Sequence, residues 1–504
     1  MFGWRGDIVT AKVRIYGLTI YCIAARLAAA QSQTAATNSP VSNQPEQVSI
    51  AEQKVRDIKN PVSWFSWGSD LRVRQEYFDN LITLTPANSL HEQDYFRFRA
   101  RLWSSITPVT NASLNVRLSA EPREWLRRAG YTPYKGHSGM DAGEGVIDNL
   151  NVQWRNFVGL PATLTVGRQD IKLGEGWLTG DGTPFDGTWT YFFDAARFTY
   201  EFKDQRTIVE AIGIIQDAKD NGWLPVINEE HRYLTEQNEK GAILNVVNSN
   251  YDAINLNGYF IYKHDNKVNA FDPVTDPAPR GGDTGDIYTL GGRLSGTPAK
   301  HWEYSAEGAY QFGRKQDIDI TDQAVQANPA ARNDFRTIDA FGFNGRIVYL
   351  FQDRMSNQLS MSYEFLSGDN PNSHNDEMFD VLWGRYARWS EVGLFTYLPE
   401  SRIGQEANLQ RFGPTWTLSP LRKLELSASY FALFAAVDTA TRASNPALFS
   451  GDGNFRGHFT QAFVKYKFNE HVSGHLWSEF YFPGDYYTSR TTAYFLRAEL
   501  FFVF

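Results

Sequence analysis

From residue 67 onward the chain alternates apolar and polar side chains in short blocks, the period-two signature of strands with one wet and one apolar face. Such blocks fall at about 68–77, 94–103, 112–121, 146–155, 162–170, 195–203, 207–215, 240–248 and 253–263. Nine more fall at about 287–296, 301–312, 338–349, 357–366, 407–418, 422–432, 457–468, 472–482 and 493–504, which makes eighteen. The connections alternate in length. The second, fourth and sixth are short, around TPVTN, NFVGLP and KDQR, while those between them run to about fifteen to twenty-five residues. Short turns recur near Asn250, Pro298, Gln352, Pro420 and Glu470. An even strand count with both termini on the short-turn side predicts an all-β fold, a membrane-spanning antiparallel β-barrel of the bacterial outer-membrane type. Its short turns would be periplasmic and its long loops extracellular. A propeller or β-helix would repeat a motif at fixed period, and the sequence has none. Residues 367–406 read as one long outer loop; a strand at 380–389 would instead raise the count to twenty.

The last block, AYFLRAELFFVF at 493–504, sets Tyr494, Leu496, Ala498, Leu500, Phe502 and Phe504 on one face and Arg497 and Glu499 on the other. A terminal strand ending on an aromatic residue resembles that of outer-membrane barrels, where the insertion machinery reads it. An edge strand of a soluble β domain is the alternative. Nothing after the N-terminus approaches the roughly 18 consecutive apolar residues of a membrane helix, and the remaining way to satisfy a backbone in lipid is a closed barrel. Polar residues at every second position also explain a negative mean hydropathy in a chain that is 15% aromatic. The net charge of -8 argues against a nucleic-acid partner. No proline-, glycine- or serine-rich linker divides the chain after residue 60, so one large architecture is expected.

Residues 1–30 read as a signal peptide. Arg5, Lys12 and Arg14 precede a mostly apolar stretch at 15–27, and Ala28, Ala29 and Ala30 offer a cleavage site. The single cysteine, Cys22, lies within this leader, so the mature chain would carry no thiol. Residues 31–60, rich in Gln, Ser, Asn, Ala and Pro, read as a flexible periplasmic segment, and 61–504 as the barrel.

Strand phase separates lumen from lipid. Arg72, Arg74 and Glu76 share a face with Asp70, opposite Leu71, Val73 and Tyr77. Arg97, Arg99 and Arg101 share a face opposite Phe96, Phe98, Ala100 and Leu102. Each arginine would cost roughly 2–4 kcal/mol at the hydrocarbon midplane, so these side chains are assigned to the lumen. Arg117, Arg155, Arg197, Arg293, Arg346, Arg411, Lys465, Lys467 and Arg497 take the same polar phase. So do Glu121, Glu201, Glu303, Glu307, Glu364, Glu425, Glu479 and Glu499. Arginine forks in a low-dielectric tube concentrate carboxylates and phosphates, whereas Arg–Glu ladders that only satisfy one another are the structural alternative.

The run LTVGRQDIKLGEGW at 164–177, followed by DGTPFDGTWTYFFDAARFTYEF at 181–202, resembles the alginate-export family of outer-membrane porins. In that family a GRQ strand is followed by a loop and a strand opening near an F-D-[AG]-x-R pattern. The texts RVRQEYF and YFRFRARLW are similar to it as well. The resemblance spans about 64–504, with its specific text in the first 200 residues. It implies an eighteen-stranded barrel and a channel of the kind that carries alginate, a polyanionic uronate polymer, through an electropositive constriction. The positions it implies are Arg72, Arg74, Arg97, Arg99, Arg101, Arg168 and Arg197, with Asp170 and Asp194 as acidic neighbours. Two departures stand out. Simple alternation from Leu164 and Val166 places Arg168 on the lipid face, so a lumen role needs a bulge at Gly167 or a rim position. The later strands also carry many lumen glutamates, which works against uniform anion selectivity.

The expected partners are therefore an anionic polysaccharide or acidic sugars, outer-membrane lipid, and periplasmic polymer-synthesis or export proteins. Other chemistry is weakly supported. The glycine-rich stretch at 171–187 lacks a P-loop lysine and serine and reads as a folded outer loop, bent inward as a constriction. Asp181, Asp186, Asp283 and Asp286 are oxygen donors of the type calcium takes in outer loops, but no EF-hand spacing is present and solvated loops are the default. No other cofactor is expected. The nine histidines show no zinc spacing; His471 and His475 read as interface residues, and His458 and His374 have acids nearby in sequence. A channel, not an enzyme, is the expected class. A general porin for small solutes, a barrel hydrolase and a soluble carbohydrate-binding β protein remain the alternatives.

Overall fold

The structure, a computed structural model, describes residues 50–81, 83–87, 91–127, 140–141, 145–180, 192–219, 222–228, 237–251, 253–268, 284–316, 335–384, 389–390, 407–440 and 446–504. The signal-peptide assignment lies outside these residues. Ile50–Lys59 is a helix, α1, where composition predicts a flexible segment. Its sequence, IAEQKVRDIK, has neither Gly nor Pro, and Gln53 donates to Asp57 one turn on at 3.0 Å. A polar composition averaged over thirty residues hides this local helix former.

Twenty strands follow: β1 (Phe65–Asp79), β2 (Glu92–Val109), β3 (Ala112–Ala120), β4 (Arg123–Arg127), β5 (Met140–Asp141), β6 (Val146–Arg155), β7 (Ala162–Gln169), β8 (Phe193–Phe202), β9 (Thr207–Gln216) and β10 (Gln237–Tyr251). The second half comprises β11 (Ile254–Lys267), β12 (Thr284–Ala299), β13 (Trp302–Gln316), β14 (Arg336–Leu350), β15 (Gln358–Leu366), β16 (Leu409–Leu421), β17 (Leu424–Phe434), β18 (Phe455–Lys467), β19 (Val472–Pro483) and β20 (Ala493–Val503). Eighteen are staves of one antiparallel barrel, which β20 closes on β1 from Asp70↔Val503 to Asp79↔Tyr494. The other two are continuations. β4 carries the line of β3 past Pro122 to pair with β2, and β5 pairs with β4. The staves coincide with the eighteen alternating blocks. Asp380 and the residues up to Gly384 are not a barrel strand, so the count stays at eighteen.

Burial alternates along the staves because the two faces meet different surroundings. Outward positions such as Leu71, Leu102, Val152, Leu290 and Trp416 are exposed and apolar, which is the reverse of a soluble protein and suits hydrocarbon. Inward positions are largely polar, buried in the middle of the staves as at Arg72, Arg97 and Glu307, and more exposed at the short-turn end as at Arg155, Glu201 and Lys467.

Toward the loop end the lumen fills with apolar side chains. The segment 171–180 between β7 and β8 and the segment 376–384 between β15 and β16 both fold inward and meet. Trp177 stacks on Phe379 at 5.4 Å, the Trp383 N–H donates to the Leu178 carbonyl at 3.0 Å, and Trp383 meets Phe193 edge-on. Glycines on the wall make room for these rings. A Cβ on Gly241 would lie 2.4 Å from Trp383, and one on Gly342 would lie 2.8 Å from Phe379. The inward bend of the 171–187 loop thus holds for its described part; 181–187 lie outside the described residues.

Candidate functional site

Antiparallel register sets Arg72 opposite Arg99 and Arg74 opposite Arg97, with Asp70 opposite Arg101. Like charges facing one another across a strand pair repel, so the arrangement needs acids from elsewhere. They come from three directions. Glu121, just past β3, accepts from Arg97 at 2.6 Å, Arg72 at 3.3 Å and Arg123 at 3.4 Å. Asp70 holds Arg101 at 2.6 Å and Arg99 at 3.4 Å. From the closing strand, Glu499 takes Arg74, while Arg497 reaches Glu76 at 2.6 Å. Glu76 also lies 3.7 Å from Arg74 and 3.8 Å from Arg97. Seven arginines (72, 74, 97, 99, 101, 123, 497) thus meet four carboxylates (70, 76, 121, 499), so arginines outnumber acids among the described residues of the cluster. β2 itself brings no acid on the face of its three arginines. In the barrel their acids are supplied by β1 and by the end of β3.

Two further lumen groups sit beside this cluster. Arg117 forms a fork with Asp170 at 2.7 and 2.8 Å and donates from Nε to Asp148 at 2.7 Å. Asp148 also accepts from Ser119. Arg197 pairs with Glu210 on β9, which in turn accepts from Asn245 on β10 at 2.8 Å.

The opposite wall is built differently. Arg293 on β12 and Arg346 on β14 share one carboxylate, Glu175, at 2.8 and 3.2 Å, and Glu175 belongs to the inward loop. Lys315 on β13 pairs with Asp380 of the other inward loop at 3.0 Å, and the Trp383 indole donates to Glu239 on β10 at 2.9 Å. Burial pushes the Asp380 carboxyl up, but Lys315, Lys263 and the Leu382 N–H outweigh it and hold it down at about 2. Glu175 and Asp380 were not among the sequence-predicted site residues. Loop acids carry no phase, so alternation offers no signal for them.

Arg168 and Asp194 need a correction. They are not part of the lumen cluster. They pair with each other across β7 and β8 on the outward phase of Val166 and Ala196, at the loop end of the wall. Arg168 is fully buried there: it donates to the carbonyls of Ile147 and Leu224 and lies 3.8 Å from the Phe192 ring centroid. The strand distorts at Gly167, whose φ of 118° is open to glycine, and a Cβ at that position would meet the Leu150 carbonyl at 2.3 Å. Arg168 therefore clamps the rim. His475 is corrected as well: it faces inward beside Glu499 at 3.2 Å instead of sitting at an interface. His458 contacts the Tyr430 hydroxyl at 2.7 Å, with Asp452 elsewhere. Asp181, Asp186 and Asp283 lie outside the described residues, and Asp286 is a strand residue bonded to Tyr262 and His264.

A closed barrel of eighteen staves with a charged interior and an apolar exterior defines an outer-membrane channel. The family model for alginate export matches residues 63–500, and the chain belongs to that family. No curated protein matches the chain. Among solved structures, OccAB1 of Acinetobacter baumannii is similar at 11% identity with a TM-score of 0.54, covering 88% of this chain and 97% of its own. OccAB2 of the same organism has 10% identity and a TM-score of 0.53, covering 87% and 98%. These likenesses concern the fold, and with the family they place the protein in the bacterial outer membrane.

Proposed function

We propose that the channel passes anionic saccharides, alginate-like polyuronates or related acidic sugars, along the arginine-rich wall of β20, β1 and β2. The single observation that carries this reading is that arginines outnumber carboxylates among the described residues of the cluster formed by Arg72, Arg74, Arg97, Arg99, Arg101, Arg123 and Arg497. A guanidinium presents a planar fork that fits a uronate carboxylate, and the surrounding Asp70, Glu76, Glu121 and Glu499 keep each contact exchangeable, so a polymer advances residue by residue. No bond is made or broken, and the protein acts as a conduit without catalysis. Periplasmic polymer-synthesis or export proteins would deliver such a cargo to the short-turn end.

The test is single-channel conductance of the refolded chain in planar bilayers, with ion selectivity and block by added oligouronate measured for the wild type and for R97A/R99A/R101A. Anion preference and block that both collapse in the variant support the reading. Conductance with neither property in the wild type overturns it in favour of a general porin, the reading favoured by the dense Arg–carboxylate pairing.

A further inference from the structure

The outward face of β9 to β13 carries a feature that conduction does not use. Pairing brings Ile215, Lys240, His264, Asp286 and Arg314 into one row at the loop end of the wall. The next row toward the membrane reads Gly213, Ala242, Tyr262, Tyr288 and Phe312, about 7 Å below by strand rise. Tyr288 stacks on Tyr262 at 5.1 Å and on Phe312 at 5.4 Å, so the second row is half aromatic shelf and half gap. The gap is a groove of about 490 Å³, floored by Ala196, Ala211, Gly213 and Ala242 and walled by Phe198 and Leu244. A Cβ built on Gly213 finds no atom within 4 Å. Most outward positions on the other staves hold large side chains, and this one is left empty directly beneath a lysine.

The charged row is uneven in its commitments. Asp286 already accepts from the Tyr262 hydroxyl at 2.7 Å and from His264 at 2.9 Å. Lys240 and Arg314 are exposed. They stand three strand spacings apart, about 14 Å, which is too wide for one phosphate and suits a head group that carries two.

We propose that this face binds a bisphosphorylated, multiply acylated glycolipid of the outer leaflet, with one acyl chain in the Gly213 groove and the head-group phosphates on Lys240 and Arg314. Apolar burial holds the chain at hydrocarbon depth, while the two cations select the phosphates at the interface. The site lies outside the lumen and is independent of what the channel carries.

Native mass spectrometry of the delipidated barrel in detergent tests this, with bisphosphorylated lipid A, the same lipid stripped of phosphate, and phosphatidylethanolamine as probes. The expected result is one retained bisphosphorylated lipid per barrel and little of the other two. K240Q/R314Q should weaken its retention roughly tenfold or more. G213L, whose Cβ enters open space, should lower retention several-fold with both charges intact. Heat-dependent gel migration verifies that each variant is folded, and the charge and groove variants fail independently of one another. Equal retention of the phosphorylated and stripped lipids, or retention unchanged in both variants, would overturn the proposal.

Discussion

The two walls of the lumen balance their charges by different means. On the β20–β1–β2 wall, the partners of Arg74, Arg101 and Arg497 are Glu499, Asp70 and Glu76, each on an adjacent strand. Register alone brings these groups together, and the barrel cannot form without making the pairs. On the β12–β14 wall, Arg293 and Arg346 meet Glu175 from 118 and 171 positions away, and Lys315 meets Asp380, both acids being carried by inward loops. The first wall is therefore as stable as the barrel itself. The second depends on loops whose opening would leave the stave-to-stave ladders intact and break only the loops' own bonds to the wall, such as Asp376 N–H to the Thr337 carbonyl at 2.7 Å, so it is the wall with fewer ties to the barrel.

The sharpest way to break this contrast is at Glu121, the one carboxylate shared by Arg72, Arg97 and Arg123. E121A takes the shared acid away from buried arginines and should cost about 3–5 kcal/mol in urea unfolding from micelles, the scale of a broken buried pair. A loss near zero would mean that water, not the acid, solvates the cluster. On the loop-dependent wall, D380N removes the partner of Lys315 and should cost about 1.5–3 kcal/mol. That loss should be confined to the loop: faster proteolysis within 367–406 and higher single-channel conductance, with the barrel's unfolding midpoint unchanged.

Acid should imitate D380N. The Asp380 carboxyl titrates at about 2 in the docked loop against 3.8 ordinarily, so its contribution to docking is complete above pH 4. It diminishes as the pH falls from there and is gone below about 2. Conductance recorded as the pH is lowered should rise over that window in the wild type and stay flat in D380N. The smallest effect belongs to E175Q. Glu175 is part-exposed, so its loss should change stability by under about 1 kcal/mol. By leaving Arg293 and Arg346 without that carboxylate, it should still raise anion preference in bilayer recordings.

Much of the fold is legible in the alternation. Each stave requires a polar and an apolar face over its full length, so the eighteen blocks, the short turns and the phase of Arg72, Arg97 or Arg117 can all be read from a period of two. At Arg168 the period holds and the resemblance misleads: alternation from Val166 puts the side chain outward, as found, and its partners at Asp194, Ile147 and Leu224 make it a rim clamp instead of a lumen arginine. The helix at Ile50–Lys59 was hidden because ten residues of helix former disappear in the average of a polar segment.

The sequence by itself determined that the chain is a barrel of eighteen staves, which side chains share a face, and that the early strands carry more arginine than acid, because each of these follows from residue type and a local repeat. Only the tertiary structure decided which acid answers which arginine, that Glu121 serves three of them, and that the loops at 171–180 and 376–384 meet inside the lumen. Those facts depend on register between strands far apart in the chain and on where irregular segments fold, and neither leaves a periodic trace in the sequence.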